Sequence, residues 1–304
     1  MMTGQDPIAM PGQALPAHAP SPMLTSFAAI TDRGRARQRN EDSLFVLAQE
    51  RLTALGHLSL GLFIISDGMG GQAGGDRASA SAIQASSEYL LREVVLPLTA
   101  ATEHAWPSMP IQEALERAFV AANEQVRRDV AGGGATMTAA LIIGQRVYIG
   151  HVGDCRLYLL RAGALKSLTR DHTVLDRLME LGYVNPDPNY APEHDPRRNS
   201  LWQAIGQDED PDVEIASHRL EPGDGLLLCC DGLWSTVPAQ AMADIITGAH
   251  APTAACRQLV DAANAAGGPD NITAIVIYPI GTRDAGADAS EAQAHTIPSG
   301  AMNP

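Results

Sequence analysis

The chain has 304 residues, of which 45% are hydrophobic and only 4% aromatic, and its 21 basic and 35 acidic side chains leave a net charge of −14. That length admits one large domain or two small ones, with a core packed mostly by Ala, Leu, Ile and Val. The acidic excess disfavours nonspecific binding to nucleic acid or anionic membranes, which draws on surplus Lys and Arg. No segment has the ~18 unbroken apolar residues of a membrane helix. No charged start followed by an apolar run marks a secretory leader. Cys155, Cys229, Cys230 and Cys256 show neither CxxC pairing nor zinc spacing. Cys229 and Cys230 lie inside an apolar run and read as buried free thiols, which fits a cytoplasmic chain in a reducing compartment.

In chain order, residues 1–22 are rich in Pro, Ala and Gly without periodicity and are expected to form a disordered arm. Strands are predicted at Ser26–Thr31, Ser43–Leu47 and Leu58–Ser66. A long helix follows at Gly75–Leu96, with Ala78, Ala80, Ala82 and Ala85 as its small-residue packing face. Ile111, Leu115, Ala118, Phe119, Ala122 and Val126 recur at helical period and predict a second helix over Ile111–Val130. A meander is expected at Met137–Ile143, Arg146–Val152 and Arg156–Arg161, and a short helix at Asp171–Leu181. The Pro-, Asp- and Asn-rich segment Asn185–Arg198 reads as a flap, about residues 183–200, and as the segment best suited to select substrates. Strands recur at Val213–Arg219, Gly225–Cys230 and Ile272–Tyr278, with helices Pro238–Ile246 and Thr253–Ala266 between the last two. Residues 282–304 resemble the amino-terminal arm, which leaves 23–281 as one domain. Runs of strands interrupted by paired helices argue for two sheets covered by helices, rather than a regular alternating barrel.

Four aspartates stand where apolar or strand-like runs give way to turns: Asp67 (LFIISDGMGG), Asp154 (YIGHVGDCR), Asp231 (LLLCCDGLWS) and Asp270 (GGPDNITAIVI). A fifth acidic site, Asn40-Glu41-Asp42, precedes the strand-like run Leu44 to Leu47. Carboxylates gathered at adjacent strand ends repel one another and resist desolvation unless cations neutralise them. Oxygen-only ligands favour Mg²⁺ or Mn²⁺ over zinc or copper. A hydrolytic metal centre is the chemistry this pattern points to.

Six motifs occur in one order: Gly34-x-x-Arg37-x-x-Asn40-Glu41-Asp42, Asp67-Gly68-Met69-Gly70-Gly71, Val152-Gly153-Asp154-Cys155-Arg156, Leu168-Thr169-x-Asp171-His172, Asp231-Gly232-Leu233 and Asp270-Asn271-Ile272-Thr273. Asp-Gly and Asp-Asn pairs are common in turns, so one alone says little. The ordered set, from about Ser26 to Ile280, resembles the bacterial metal-dependent Ser/Thr protein phosphatases of type 2C, the PPM family. The resemblance implies an α+β fold, a four-layer αββα sandwich of two central antiparallel sheets flanked by helices. It also implies two Mn²⁺ or Mg²⁺ ions, with a weaker third. Asp67 is then expected to bridge the two metals, with Asp231 and Asp270 on the first and the Gly68 carbonyl on the second. Asp154 joins Asp231 at the third site. Glu41 and Asp42 act through metal-bound water, with Asn271 beside them, and Arg37 clamps the phosphate through paired guanidinium bonds.

The implied reaction is hydrolysis of phosphoserine and phosphothreonine on proteins, with a bridging metal-bound hydroxide attacking phosphorus in line. No HCx₅R-type loop offers a cysteine nucleophile instead. The implied partners are phosphorylated proteins, with a Hanks-type Ser/Thr kinase as the natural opponent. The sequence departs from relatives in having Met69 and Gln72 where some carry histidine, so neither position offers a general acid. Gly134-Ala135-Thr136 replaces Gly-Thr-Thr, and Cys155 and Cys230 stand where serine is usual. His151 and His172 lie near the motifs and read as structural histidines. The alternative reading is a catalytically weak phosphatase-like module that binds a phosphorylated partner. A two-metal nuclease is disfavoured by the charge.

Overall fold

A computed structural model describes residues 24–53, 56–69, 74–100, 107–184, 195–207 and 210–280. The expected arms at 1–22 and 282–304 lie outside the described residues, as does most of the expected flap, residues 185–194. The elements are β1 (Leu24–Asp32), β2 (Asp42–Thr53), β3 (Gly56–Met69), α1 (Gly75–Leu90), α2 (Leu96–Thr99), α3 (Ile111–Asp129), β4 (Gly134–Ala135), β5 (Met137–Ile143), β6 (Arg146–Val152), β7 (Arg156–Arg161) and β8 (Ala164–Ser167). They continue with α4 (Val174–Glu180), β9 (Glu214–Arg219), β10 (Gly225–Cys229), α5 (Asp231–Trp234), α6 (Ala239–Gly248), α7 (Pro252–Ala265) and β11 (Ile272–Ile280). A π-helical turn, Leu91–Val95, joins α1 to α2, so the expected long helix continues to Thr99 with a local change of hydrogen bonding.

Two antiparallel sheets result, ordered β1-β11-β10-β7-β8 and β2-β3-β5-β6-β9, with β4 paired to β3. Central strands carry apolar residues on both faces because both are covered. Along β3, Leu60, Leu62 and Ile64 point to the core beneath α1 and α3, while Phe63 and Ile65 point between the sheets. Along β10, Leu226 and Leu228 join the inter-sheet core, and Leu227 and Cys229 face α6 and α7. Three successive cores therefore define four layers, as the sequence led us to expect.

Several boundaries differ for physical reasons. β2 and β3 run longer than predicted, because the hairpin carries edge strand β2 on through its exposed polar end to a Thr53–Gly56 pairing. β3 also runs past Ser66 through Asp67, since Thr136 donates its amide to the Asp67 carbonyl and β4 pairs with Gly68 and Met69. α4 begins at Val174 rather than Asp171: Thr173 takes an extended conformation and its hydroxyl accepts the Asp176 amide, capping the helix. On α1, Ala78, Ala82 and Ser86 form the buried stripe, while Ala80 is exposed on the opposite face.

Phe119 is fully buried on α3 in the core between that helix, α1 and the second sheet. Phe119→Ala is expected to cost about 3–5 kcal/mol through lost burial and an unfilled cavity. Denaturant unfolding checks this, and a loss below ~1 kcal/mol would contradict the packing described.

Candidate active site

The carboxylates converge at one end of the sandwich because of register and turns. Antiparallel pairing sets Asp42 directly opposite Asp67, a like-charge pairing that a sheet ordinarily avoids. Asp154 lies in the turn from β6 to β7. Asp231 opens α5 rather than ending a strand, and Asp270 sits just ahead of β11.

Fixed polar partners hold this arrangement. Thr273 Oγ1 donates to Asp42 Oδ2 at 2.5 Å. The Asp67 amide donates to Thr136 Oγ1 at 3.1 Å, and Ser66 Oγ donates to the Thr136 carbonyl at 2.7 Å. Asn271 Nδ2 donates to both the Arg33 and Arg39 carbonyls at 2.9 Å, while its Oδ1 accepts the Glu41 amide at 2.8 Å. Arg37 Nη2 lies 2.7 Å from Asp270 Oδ2, and the Arg37 side chain remains 52% exposed. Trp234 Nε1 donates to the Asp154 carbonyl at 2.9 Å, and the Arg156 guanidinium stacks 3.5 Å from the Trp234 ring centre. Thr136 and Thr273 stand in motifs the sequence reading named without giving them a role, and Trp234 was not singled out; all three are positioning residues. Their signal was present, since each lies within two or three residues of a turn glycine or site aspartate.

The glycines beside the aspartates are required by backbone packing. A Cβ on Gly68 would lie 2.0 Å from the Gly75 carbonyl oxygen, and one on Gly232 would lie 1.9 Å from that of Asn271. Strand, helix start and loop can close on the site only where no side chain intervenes.

Burial and mutual repulsion raise the acids. Desolvation first, then the charges of Asp231 and Asp270, push Asp42 up to about 7, against the bonds that favour its ionised form. Desolvation and the charges of Asp231 and Asp171 push Asp154 up to about 8. Asp67 is held well above the carboxylate range by desolvation and by Asp42, Asp231, Asp154 and Asp270, and Asp231 is raised by desolvation and Asp270. Asp42 Oδ1 and Asp231 Oδ1 are buried without a hydrogen-bond partner. Two orphaned carboxylate oxygens inside a crowd of acids form a donor set suited to a hard divalent cation.

His151, His172 and Glu214 form a separate group whose nearest ligand atoms all lie within 4.8 Å of one another. Their protons argue against metal ligation. His172 Nδ1 accepts from the Gly153 amide at 3.2 Å and from Gln203 Nε2 at 2.7 Å, which leaves the proton on Nε2, facing Glu214 at 3.8 Å. A histidine protonated on its outward nitrogen has no lone pair there to give. His151 is buried between Thr138 Oγ1 and the Arg170 carbonyl, and burial followed by the nearby His172 lowers it to about 3. Both act as structural histidines, consistent with the sequence reading. All four cysteines are free and buried. Met69 is half-buried, and Gln72 lies outside the described residues.

This carboxylate-rich end of an αββα sandwich matches a known class. Residues 35–263 match the family model described as Protein phosphatase 2C. The serine/threonine phosphatase stp of Listeria monocytogenes is 34% identical over 247 residues, 81% of this chain and 93% of its own length. The serine/threonine protein phosphatase PstP of Mycobacterium tuberculosis is 31% identical over 261 residues, 84% of this chain and 45% of its own length. The crystal structure of that phosphatase superposes with a TM-score of 0.66 at 29% identity, covering 84% of this chain and 98% of the solved one. The PstP catalytic domain, solved in complex with two manganese ions, superposes with a TM-score of 0.64 at 28% identity, covering 84% and 98%. The chain belongs to the protein phosphatase 2C family.

A carboxyl that binds its proton more tightly when folded favours the fold when protonated and opposes it when ionised. With Asp42 near 7 and Asp154 near 8, against an ordinary value of 3.8, these groups weaken the metal-free fold as pH rises from about 4 through 8. In EDTA the Tm is expected to fall between about pH 5.5 and 8.5, and added Mn²⁺ to restore more of it at the upper end. A Tm in EDTA that is flat or rising across that window would contradict the crowding.

Proposed function

We propose that the protein hydrolyses phosphoserine and phosphothreonine on other proteins at this carboxylate centre, in a Mn²⁺- or Mg²⁺-dependent reaction. The observation that carries the reading is the pair of buried orphaned oxygens, Asp42 Oδ1 and Asp231 Oδ1, in the acid cluster beside Arg37. Asp67, Asp231, Asp270 and the Gly68 carbonyl would hold two cations, as in the two-manganese PstP complex, and Asp154 with Asp231 a weaker third. Glu41 and Asp42 would steer the water around them. When bound, the ions supply positive charge that offsets the carboxylates, polarises phosphoryl oxygens and acidifies water.

The chain's own residues do the positioning. The half-exposed guanidinium of Arg37, beside Asp270, can direct two parallel N–H bonds at phosphate oxygens and align the ester for in-line attack by water. Asn271, Thr136 and Thr273 hold their neighbours still while charge moves, so little reorganisation is needed during the reaction. Attack by water requires no phosphoenzyme. Cys155 and Cys230 are buried, and desolvation holds both thiols well above their ordinary range, so they are poor nucleophiles. The complete carboxylate set and Arg37 support turnover over mere binding of a phosphorylated partner.

Phosphorylated proteins are the substrates in this reading, with a Hanks-type Ser/Thr kinase as opponent on family resemblance. A cytoplasmic location is part of it, supported by the four free thiols. No described helix is long and apolar enough to cross a membrane.

Hydrolysis of p-nitrophenyl phosphate and of a phosphothreonine peptide by purified protein tests the reading. Activity should require Mn²⁺ or Mg²⁺, vanish with EDTA and fall about 10³-fold or more in Asp231→Ala. Arg37→Ala should raise KM for the peptide about 10-fold. Metal-independent turnover, or an Asp231→Ala variant as active as the parent, would overturn it.

A further inference from the structure

The loop that carries Arg37 also carries Arg33, Arg35 and Arg39, four arginines in seven residues of a chain with net charge −14. Its backbone is anchored at the centre. The Asn271 amide ties together the Arg33 and Arg39 carbonyls at the two ends of the loop. In the middle, the Arg35 and Ala36 amides donate to the Gly268 carbonyl at 2.8 and 3.1 Å. The Gly34 amide donates to Asp32 Oδ1 at 2.8 Å, and Asn264 Nδ2 donates to the same oxygen at 3.1 Å. The loop is thereby fixed against the segment that presents Asp270.

The side chains face outward. Arg33, Arg35, Arg37 and Arg39 are all exposed. Arg37 spends one nitrogen on Asp270, and Arg39 lies only loosely near Asp76 at 3.8 Å, its side chain 70% exposed. Among the described residues, Arg33 and Arg35 form no ion pair. Arg33 makes a long contact with the Gln38 carbonyl at 3.5 Å. Two guanidinium groups without an ion pair, and a third with only the 3.8 Å contact to Asp76, thus flank Arg37 along the loop. The anchored backbone fixes where these guanidinium groups originate, so binding orders only the side chains, at about 0.5–1.5 kcal/mol each, and not the loop.

We propose that loop 33–39 is a docking surface for anionic side chains flanking the phosphorylated residue. It would give preference to phosphoserine or phosphothreonine segments that carry Asp, Glu or a second phosphorylated residue nearby. This deepens the phosphatase reading and rests on it. An extended peptide advances about 3.3 Å per residue, so Arg35 and Arg39, two positions from Arg37, and Arg33, four positions away, reach flanking residues about two to four positions from the phosphate. Guanidinium pairs with carboxylate and phosphate alike, so the occupant of the loop is an anionic flank of the phosphorylated segment.

The experiment compares kcat/KM for phosphothreonine peptides identical except for their flanks: two Asp, two Ala, two Lys, or a second phosphothreonine. Each is tested with the parent and with the triple variant Arg33→Gln, Arg35→Gln, Arg39→Gln, which leaves Arg37 and the carboxylates untouched. The parent is expected to favour the Asp peptide over the Lys peptide about 10-fold at low salt, with the preference shrinking at about 0.5 M salt. The doubly phosphorylated peptide shows whether phosphate serves better than carboxylate. The triple variant should lose the ranking while hydrolysing p-nitrophenyl phosphate within about twofold of the parent. No preference in the parent, or one that persists in the variant, would overturn the proposal. So would an equal loss on p-nitrophenyl phosphate and every peptide, which would place the arginines in service of the centre itself. Anisotropy of the labelled peptides on Asp231→Asn protein reads docking without turnover. A parent inactive on p-nitrophenyl phosphate therefore counts against the phosphatase reading alone, while the peptide ranking still decides the loop.

Discussion

Carboxylates that repel one another must be held together against both charge and burial, and much of the architecture answers that demand. Asp42 and Asp67 face each other across a strand pair, and Asp154, Asp231 and Asp270 enter from three other chain segments. Left alone, such a group protonates, as the raised values of Asp42 and Asp154 express. Only a framework stabilised elsewhere can carry that cost. Here three apolar cores on two stacked sheets provide it. The aspartates sit on turns and strand ends because a closely packed sandwich leaves room for polar groups only at its rim.

The centre is framed by neutral hydrogen-bonding groups rather than by counter-ions. Thr273, Thr136 and Asn271 occupy sheet and turn positions where Thr273 binds the Asp42 carboxylate and the other two bind neighbouring backbone groups. Neutral partners fix geometry without cancelling the negative potential, so the site keeps its attraction for cations. The close approaches at Gly68 and Gly232 serve the same end by bringing three backbone segments into contact around the acids. Positive charge near the centre comes from Arg37, which touches Asp270, and from Arg156, stacked on Trp234 and paired with Asp171; the neighbours of Arg37 on the loop are exposed. A negative well with a positive rim suits a phosphate that must be steered in and then met by cations.

The histidine pair shows how proximity can mislead. His151, His172 and Glu214 satisfy a distance criterion for metal binding, yet the donors aimed at His172 Nδ1 dictate its tautomer. The same contacts give the pair a plain structural purpose. His172 accepts the Gly153 amide through its ring and donates its own amide to the Gly153 carbonyl, gripping the residue next to Asp154 from both sides.

Much of the site was legible in the one-dimensional chain because turn chemistry is local. Asp-Gly and Asp-Asn steps after apolar runs mark carboxylates delivered to rims, and their number and order pointed to a cation centre and to the family. Central strands were legible for a related reason: two-sided burial leaves unbroken apolar runs such as Leu226–Leu228. What the chain could not reveal were relations between distant segments. The extension of β3 through Asp67 depends on Thr136, and the start of α4 at Val174 depends on the Thr173 cap. The roles of Asn271 and Trp234 depend on partners far along the chain, at Arg33, Arg39 and Asp154. Residue type and local spacing thus determined which groups are candidates for the chemistry. Tertiary packing alone decided their protonation, their partners and which arginines face outward, because those properties arise from desolvation and from contacts that sequence separation hides.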